Sequence, residues 1–293
     1  MTLDAAYAAC AHLARTHYEN FPVASHLLPR RMRPHVAAVY AFARLADDIA
    51  DEGDASLDVR NARLDEWLMR LDAAVQGLSP SASTVLEPAM AAMAPAVFMA
   101  LGATMRECAL PPALFEDLVS AFRQDTTVTR YATWPDLLDY CRRSANPVGR
   151  LLLHLFKRTT ESNFRQSDAI CSALQLINHW QDVDIDYTRD NRVYLPQDEM
   201  ARFGVSEKHL SDKVCDAAWR DLMKFQVDRA RSLMVSGSGL GKSLPGRIGL
   251  EIRATVQGGL RILEKIERVG YDVFRRRPVL RPYDWPVLLL KAI

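Results

Sequence analysis

Val36-Ala-Ala-Val-Tyr40-Ala-Phe-Ala-Arg44-Leu-Ala-Asp47-Asp48-Ile-Ala-Asp51-Glu52 carries apolar side chains at 36, 39, 42, 45 and 49. That spacing marks one buried face of a helix. Pro34, just ahead of it, suits a helix start. Tyr40, Arg44, Asp47 and Asp51 step by three or four residues and make a second stripe. Like charges four residues apart repel by a few tenths of a kcal/mol on an exposed helix, and by more when buried. About 130 residues further on, Asn178-His-Trp-Gln181-Asp182-Val-Asp-Ile-Asp186 repeats the device. Asn178, Asp182 and Asp186 step by four, Leu174 continues the line, and Gln181 sits beside it. A bland reading makes the first stripe a solvated helix end with an Arg–Asp pair and the second a polar helix face. The Ala, Val and Phe content of the first helix, and the occurrence of two such rows, favour a lined cavity. An amide and four carboxylates offer only hard oxygen ligands, a set that suits Mg²⁺ shared with substrate phosphates.

The remainder reads as helical too. Helices are expected over 3–18, 36–50, 57–78, 85–108, 113–126, 134–144, 148–158, 167–187, 212–235 and 247–269. Pro95 is read as a kink, Asn146-Pro147 as an interruption, and 188–196 as a polar turn region. Period-2 alternation is not sustained anywhere. The fold class is therefore all-α, in a single domain spanning 1–293 around a central apolar cavity.

Bulk properties narrow the function. A formal charge of +1 supplies no field to recruit nucleic acid. Five dispersed cysteines, with no C-x-x-C pair, fit reduced thiols in the cytosol. The N-terminus lacks the basic and apolar regions of a secretory signal. No run is read as a membrane span. No strand–G-x-G-x-x-G–helix unit is present, so no nicotinamide is expected. Gly237-Ser-Gly-Leu-Gly241-Lys-Ser243 fails the phosphate-loop pattern, because Ser236 stands where its first glycine belongs; it is read as a flexible linker. Arg275-Arg276-Arg277 is either a solvated helix end or, with Trp285 and residues 287–290, a contact for anionic lipid. Scattered histidines are read as core or surface residues, and Met90, Met93 and Met99 as core filler.

Facing aspartates in an apolar helical pocket can hold Mg²⁺ against a diphosphate. The metal then neutralises the leaving group as the carbon–oxygen bond ionises. The resulting carbocation needs a dry wall and aromatic faces.

Tyr40-Ala-Phe-Ala-Arg44-Leu-Ala-Asp47-Asp48-Ile-Ala-Asp51-Glu52, Tyr140-Cys141, Leu176-Ile-Asn178-His-Trp-Gln181-Asp182-Val-Asp-Ile-Asp186 and Arg192-Val-Tyr194-Leu-Pro196 resemble the squalene/phytoene synthase family, in order, from about residue 21 to 271. The resemblance implies an isoprenoid synthase fold, Mg²⁺ dependence, and head-to-head condensation of prenyl diphosphates or turnover of their cyclopropyl intermediates. It assigns Mg²⁺–diphosphate to Asp47 and Asp51 from one side and to Asn178, Asp182 and Asp186 from the other. Tyr40, Arg44, Arg192 and Tyr194 match positions that contact diphosphate or the cation, and Ser25 matches a stretch near the leaving group. His26 is open between catalysis and a loop-capping role.

Glu19-Asn-Phe-Pro-Val-Ala-Ser25, Ser144-Ala-Asn-Pro-Val-Gly-Arg150 and the Asn178–Asp182 stretch resemble the branch that quenches its cation with water. Presqualene diphosphate plus water would then give hydroxysqualene and diphosphate. Asn146, Asn178 and Gln181 are the residues expected to place the water. Condensation to presqualene diphosphate, squalene or phytoene is the alternative. An inactive homologue serving as an assembly factor would be expected to lose ligand aspartates, and all four are present. Expected partners are the prenyl diphosphate substrate, an upstream presqualene diphosphate synthase, and a peripheral membrane contact, with the protein in the cytoplasm or at the inner membrane.

Overall fold

The computed structural model describes residues 1–16, 28–78 and 82–292, apart from the Leu289 side chain. Among these residues run α1 (Leu3–Thr16), α2 (Arg33–Asp51), α3 (Leu57–Val75), α4 (Pro88–Cys108), α5 (Pro112–Asp125), α6 (Trp134–Ser144) and α7 (Asn146–Leu155). They are followed by α8 (Glu161–Asp190), α9 (Gln197–Arg202), α10 (Glu207–Ser211), α11 (Ala217–Gly237), α12 (Leu240–Ser243), α13 (Gly246–Arg268) and α14 (Trp285–Ala292). Among the described residues no strand forms; Arg130 and Val193 make a single parallel bridge. Local chemistry explains many helix starts. Prolines stand in the first turn of α2, α4, α5 and α6. Ser56, Thr160 and Asp216 accept hydrogen bonds from backbone amides at the starts of α3, α8 and α11.

The chain falls into two compact units, Met1–Thr127 with Arg150–Thr159, and Val128–Gly149 with Thr160–Ile293. In the first unit, Phe42 of α2 meets Trp67 of α3, Phe98 of α4 and Phe115 of α5 at ring separations of 5.9, 6.0 and 5.2 Å. These edge-on and tilted contacts bury the face read from positions 36, 39, 42, 45 and 49. In the second unit α8 packs most extensively on α11, with Trp180 and Trp219 fully buried. The Trp219 indole donates to the Tyr271 carbonyl at 3.0 Å. All five cysteines are free thiols. Burial pushes Cys10 and Cys171 up to about 11 and Cys141 up to about 12, which keeps them unreactive.

Four local expectations need correction. Asn146-Pro147 does not interrupt a helix but opens α7, after the single residue Ala145; its proline sits where no backbone donor is needed. α8 begins at Glu161 and ends at Asp190, beyond the expected 167–187 at both ends. Thr160 caps its start and a left-handed Asn191 (φ 50°) ends it. Residues 236–243 are no flexible linker. They finish α11 and form α12, and a Cβ on Gly237 would lie 2.5 Å from the Gln166 carbonyl oxygen. The glycines there allow close backbone packing. Finally, α4 is long and apolar enough to cross a membrane by composition. Half of it is buried here, with Val97, Phe98 and Leu101 turned into the aromatic core.

Candidate active site

On α2 the acidic row lies at the C-terminal end of the helix. Negative charge there opposes the helix dipole, so the row does not serve helix stability. Arg44 accommodates it. Its guanidinium lies 2.6 Å from Asp48, 3.0 Å from Glu52 and 3.8 Å from Asp47. The expected Tyr40–Arg44–Asp47–Asp51 stripe is thus only part of the pattern, because Arg44 leans toward Asp48 and Glu52. Asp47 is half-buried and Asp51 is exposed.

The α8 row is different. Asn178, Asp182 and Asp186 are partly buried, and Gln181 is buried. The Asp186 carboxyl is pushed up to about 7, chiefly by burial and then by the Asp182 and Asp190 charges. Asp182 is gripped by Arg277 through two hydrogen bonds, Nε to one carboxylate oxygen at 2.5 Å and an Nη to the other at 3.0 Å. Arg277 therefore belongs to this row. Arg275 is tied to Asp272 at 3.0 Å and to the Lys213 carbonyl at 3.2 Å. A wholly solvated 275–277 cluster is excluded, and of the three only Arg276 has no ion-pair or side-chain hydrogen-bond partner among the described residues.

After Asn191 the chain turns back on α8. The amide of Arg192 donates to the Asp186 carbonyl at 2.9 Å and that of Val193 to Thr129 at 2.9 Å. Arg130 grips this corner, donating to the Asn191 side chain at 3.0 Å and to Glu207 at 2.5 and 2.9 Å. The turn lays Tyr194 flat on His179, ring centroids 3.5 Å apart and planes 15° apart. Tyr131 and Tyr140 complete the cluster at 5.7 and 5.9 Å from Tyr194. Burial, aided by Arg192, holds His179 down at about 3. Its Nδ1 lies 4.0 Å from Asp186, but a neutral imidazole makes no salt bridge there. A cavity of about 10 Å³, the size of one water, lies among His179, Asp186, Arg192 and Tyr194.

Asn146 is buried, and its side-chain oxygen accepts a hydrogen bond from Ser172 at 2.9 Å. That bond ties the start of α7 to α8. Ser25 and His26 lie outside the described residues.

Among the described residues no three His, Cys, Asp or Glu side chains cluster as a ready-made metal site. The α8 oxygens still fit Mg²⁺, which is held by one or two carboxylates, waters and substrate phosphate. A carboxyl raised by burial and then by its acidic neighbours is the electrostatic tension a bound cation would relieve. Sequence reasoning missed three contributors to this site. His179 was inside the quoted motif, Tyr131 carried no pattern, and Arg277 lay in a run read as surface.

The family model for squalene/phytoene synthase matches residues 14–284. The chain belongs to the squalene/phytoene synthase family. It is 36% identical to a hydroxysqualene synthase of Zymomonas mobilis over 80% of this chain and 74% of the relative. It is 33% identical to a hydroxysqualene synthase of Rhodopseudomonas palustris over 94% and 88%. The crystal structure of a squalene synthase from Alicyclobacillus acidocaldarius superposes with a TM-score of 0.82 at 37% identity, covering 92% of this chain and 95% of that one. The chain has the all-α isoprenoid synthase fold of that family. Members act on prenyl diphosphates, and the aspartates on α2 and α8 stand in the motifs by which the resemblance was drawn.

Proposed function

We propose that this protein is a hydroxysqualene synthase, acting as one domain and converting presqualene diphosphate and water to hydroxysqualene and diphosphate. The observation that carries the reading is the α8 row, oxygen-only and electrostatically tense, beside a buried aromatic cluster. The two hydroxysqualene synthases above, at 36% and 33% identity, support the choice of reaction.

Asp47 and Asp51 on α2, with Asn178, Asp182 and Asp186 on α8, would hold Mg²⁺. Bound with the substrate, the ion supplies charge neutralisation of the departing diphosphate. Arg44, Arg192 and Tyr40 bind that diphosphate, together with Ser25. The substrate's carbon–oxygen bond breaks and diphosphate leaves with the electron pair. Tyr194, Tyr131 and Tyr140 offer ring faces to the carbocation, and a neutral His179 behind Tyr194 adds no opposing charge. Water adds to the cation and gives up one proton to the released diphosphate. Asn146, Asn178 and Gln181 supply the amides that place the water; the Asn146 oxygen accepts from Ser172, which fixes the amide, and its NH₂ donates. No nicotinamide enters this reaction. The greasy substrate and product place the enzyme in the cytoplasm at the inner membrane, downstream of a presqualene diphosphate synthase.

The test is a product assay with presqualene diphosphate and Mg²⁺, with and without reduced nicotinamide. Hydroxysqualene in both is expected; nicotinamide-dependent squalene would refute the reading. A second reading, condensation of farnesyl diphosphates, is favoured by the squalene synthase of Alicyclobacillus acidocaldarius. Farnesyl diphosphate as sole substrate separates the two.

A further inference from the structure

The second unit holds a basic cleft. It has a volume of about 420 Å³ and lies between α13 and the 276–283 stretch. Its cations are Arg261, Lys265, Arg268, Arg276, Arg277 and Arg281. Three carboxylates engage them. Asp284, fully buried, takes Arg261 at 2.8 Å and Lys265 at 2.5 Å. Asp182 takes Arg277, and Glu264 lies 2.8 Å from Arg261 and 3.8 Å from Arg268. The side chains of Arg276 and Arg281 are exposed and have no ion-pair partner among the described residues. A chain of net charge +1 thus concentrates positive charge at one place.

The rim of the cleft continues into an apolar stripe. Tyr283 lines the cleft and is 65% exposed, with the Lys265 ammonium 5.1 Å from its ring centre. Val287 and Leu290 follow at i+4 and i+7, and Leu290 is 78% exposed. Val287 and Leu290, three residues apart, share one side of α14, and Tyr283 stands in the 3₁₀ turn (Pro282–Asp284) just before it. Leu288 and Ala292 are buried on the other side, which packs on α13. The Asp284 anchor fixes the start of α14 to α13, so the stripe is held beside the cleft.

We propose that this surface docks on an anionic phospholipid bilayer, with lipid phosphates between Arg276 and Arg281 and with Tyr283, Val287 and Leu290 in the interfacial layer. Charge complementarity selects the headgroup, and the adjoining stripe selects a bilayer over a soluble anion. The surface does not depend on which reaction the active site runs, and its test needs no substrate.

The experiment is sedimentation of the full chain with vesicles of phosphatidylcholine alone, or of equal parts phosphatidylcholine and phosphatidylglycerol. Binding to the anionic vesicles, weakened by salt, is expected. Arg276→Ala/Arg281→Ala should lower partitioning about thirtyfold, or about fivefold per arginine. Leu290→Ser should lower it about tenfold with both arginines present. These side chains are exposed, so an unchanged circular dichroism spectrum is expected in every variant. Three results would overturn the proposal: binding equally strong to neutral vesicles, partitioning unchanged in either variant, or arginine-dependent binding of inorganic phosphate by calorimetry without any vesicle binding.

Discussion

The acidic ends of α2 and α8 look alike in sequence and differ in what surrounds them. On α2 one cation is local: Arg44 reaches one turn forward to Asp47 and Asp48 and two turns to Glu52, with Glu52 exposed. Helix geometry alone can build that arrangement. On α8 the cation comes from 95 residues away, as Arg277 grips Asp182. Asp186 keeps a carboxyl raised to about 7 in spite of Arg189 and Arg192. The α2 row has a cation on its own helix, and the α8 row holds a carboxyl raised by burial and by neighbouring charge. Tension at this partly buried row is what bound Mg²⁺ is proposed to relieve.

The largest expected effect tests whether the two rows share a task. Asp47→Asn and Asp182→Asn should each cut turnover of presqualene diphosphate by about a hundred- to a thousandfold, with helical content unchanged by circular dichroism. A loss confined to Asp182→Asn would leave the α2 row as a structural feature only.

Next is the pH dependence of stability in Mg²⁺-free buffer. A carboxyl raised to about 7 means that the folded protein binds more protons than the unfolded chain between about pH 4 and 7, so Asp186 lowers stability as pH rises through that window. His179, held down at about 3, does the reverse, because the unfolded chain gains the proton between about 6.5 and 3. The two oppose each other over most of the same range. Asp186→Asn should therefore raise stability at pH 8 by roughly 3 kcal/mol, and by little at pH 4. It should also leave a stability that climbs with pH from about 3 to 6.5. His179→Gln should unmask the opposite slope. Urea unfolding across pH measures both, and a flat profile in either variant would remove the claimed tension.

Smaller effects follow. Arg277→Gln frees Asp182 next to Asp186 and should lower stability by about 1 kcal/mol at pH 8, since the pair is partly exposed. Added Mg²⁺ should restore more stability to that variant than to the parent protein. Glu52→Gln, at the exposed edge of the α2 row, should change stability by less than about 0.5 kcal/mol in the same assay.

The pattern at 36, 39, 42, 45 and 49 and the i,i+4 steps at 178, 182 and 186 were enough to determine helices, their buried faces and their rows of polar side chains. Side-chain direction on a helix is set by local geometry, which sequence spacing reports directly. Pro34 marked the start of α2 in the same local way, by its fixed backbone angle and missing donor. Tertiary structure alone decided the rest. Arg277 on Asp182, Tyr194 flat on His179 and Arg130 on Asn191 join residues far apart in the chain, and no periodicity encodes such pairs. Burial decided that Asp186 is raised while His179 is held down, because the penalty for a charge depends on the dielectric around it, and packing sets that. The glycine-rich 236–243 stretch makes the same point: composition reads as slack, and the close approach of neighbouring backbone makes it rigid.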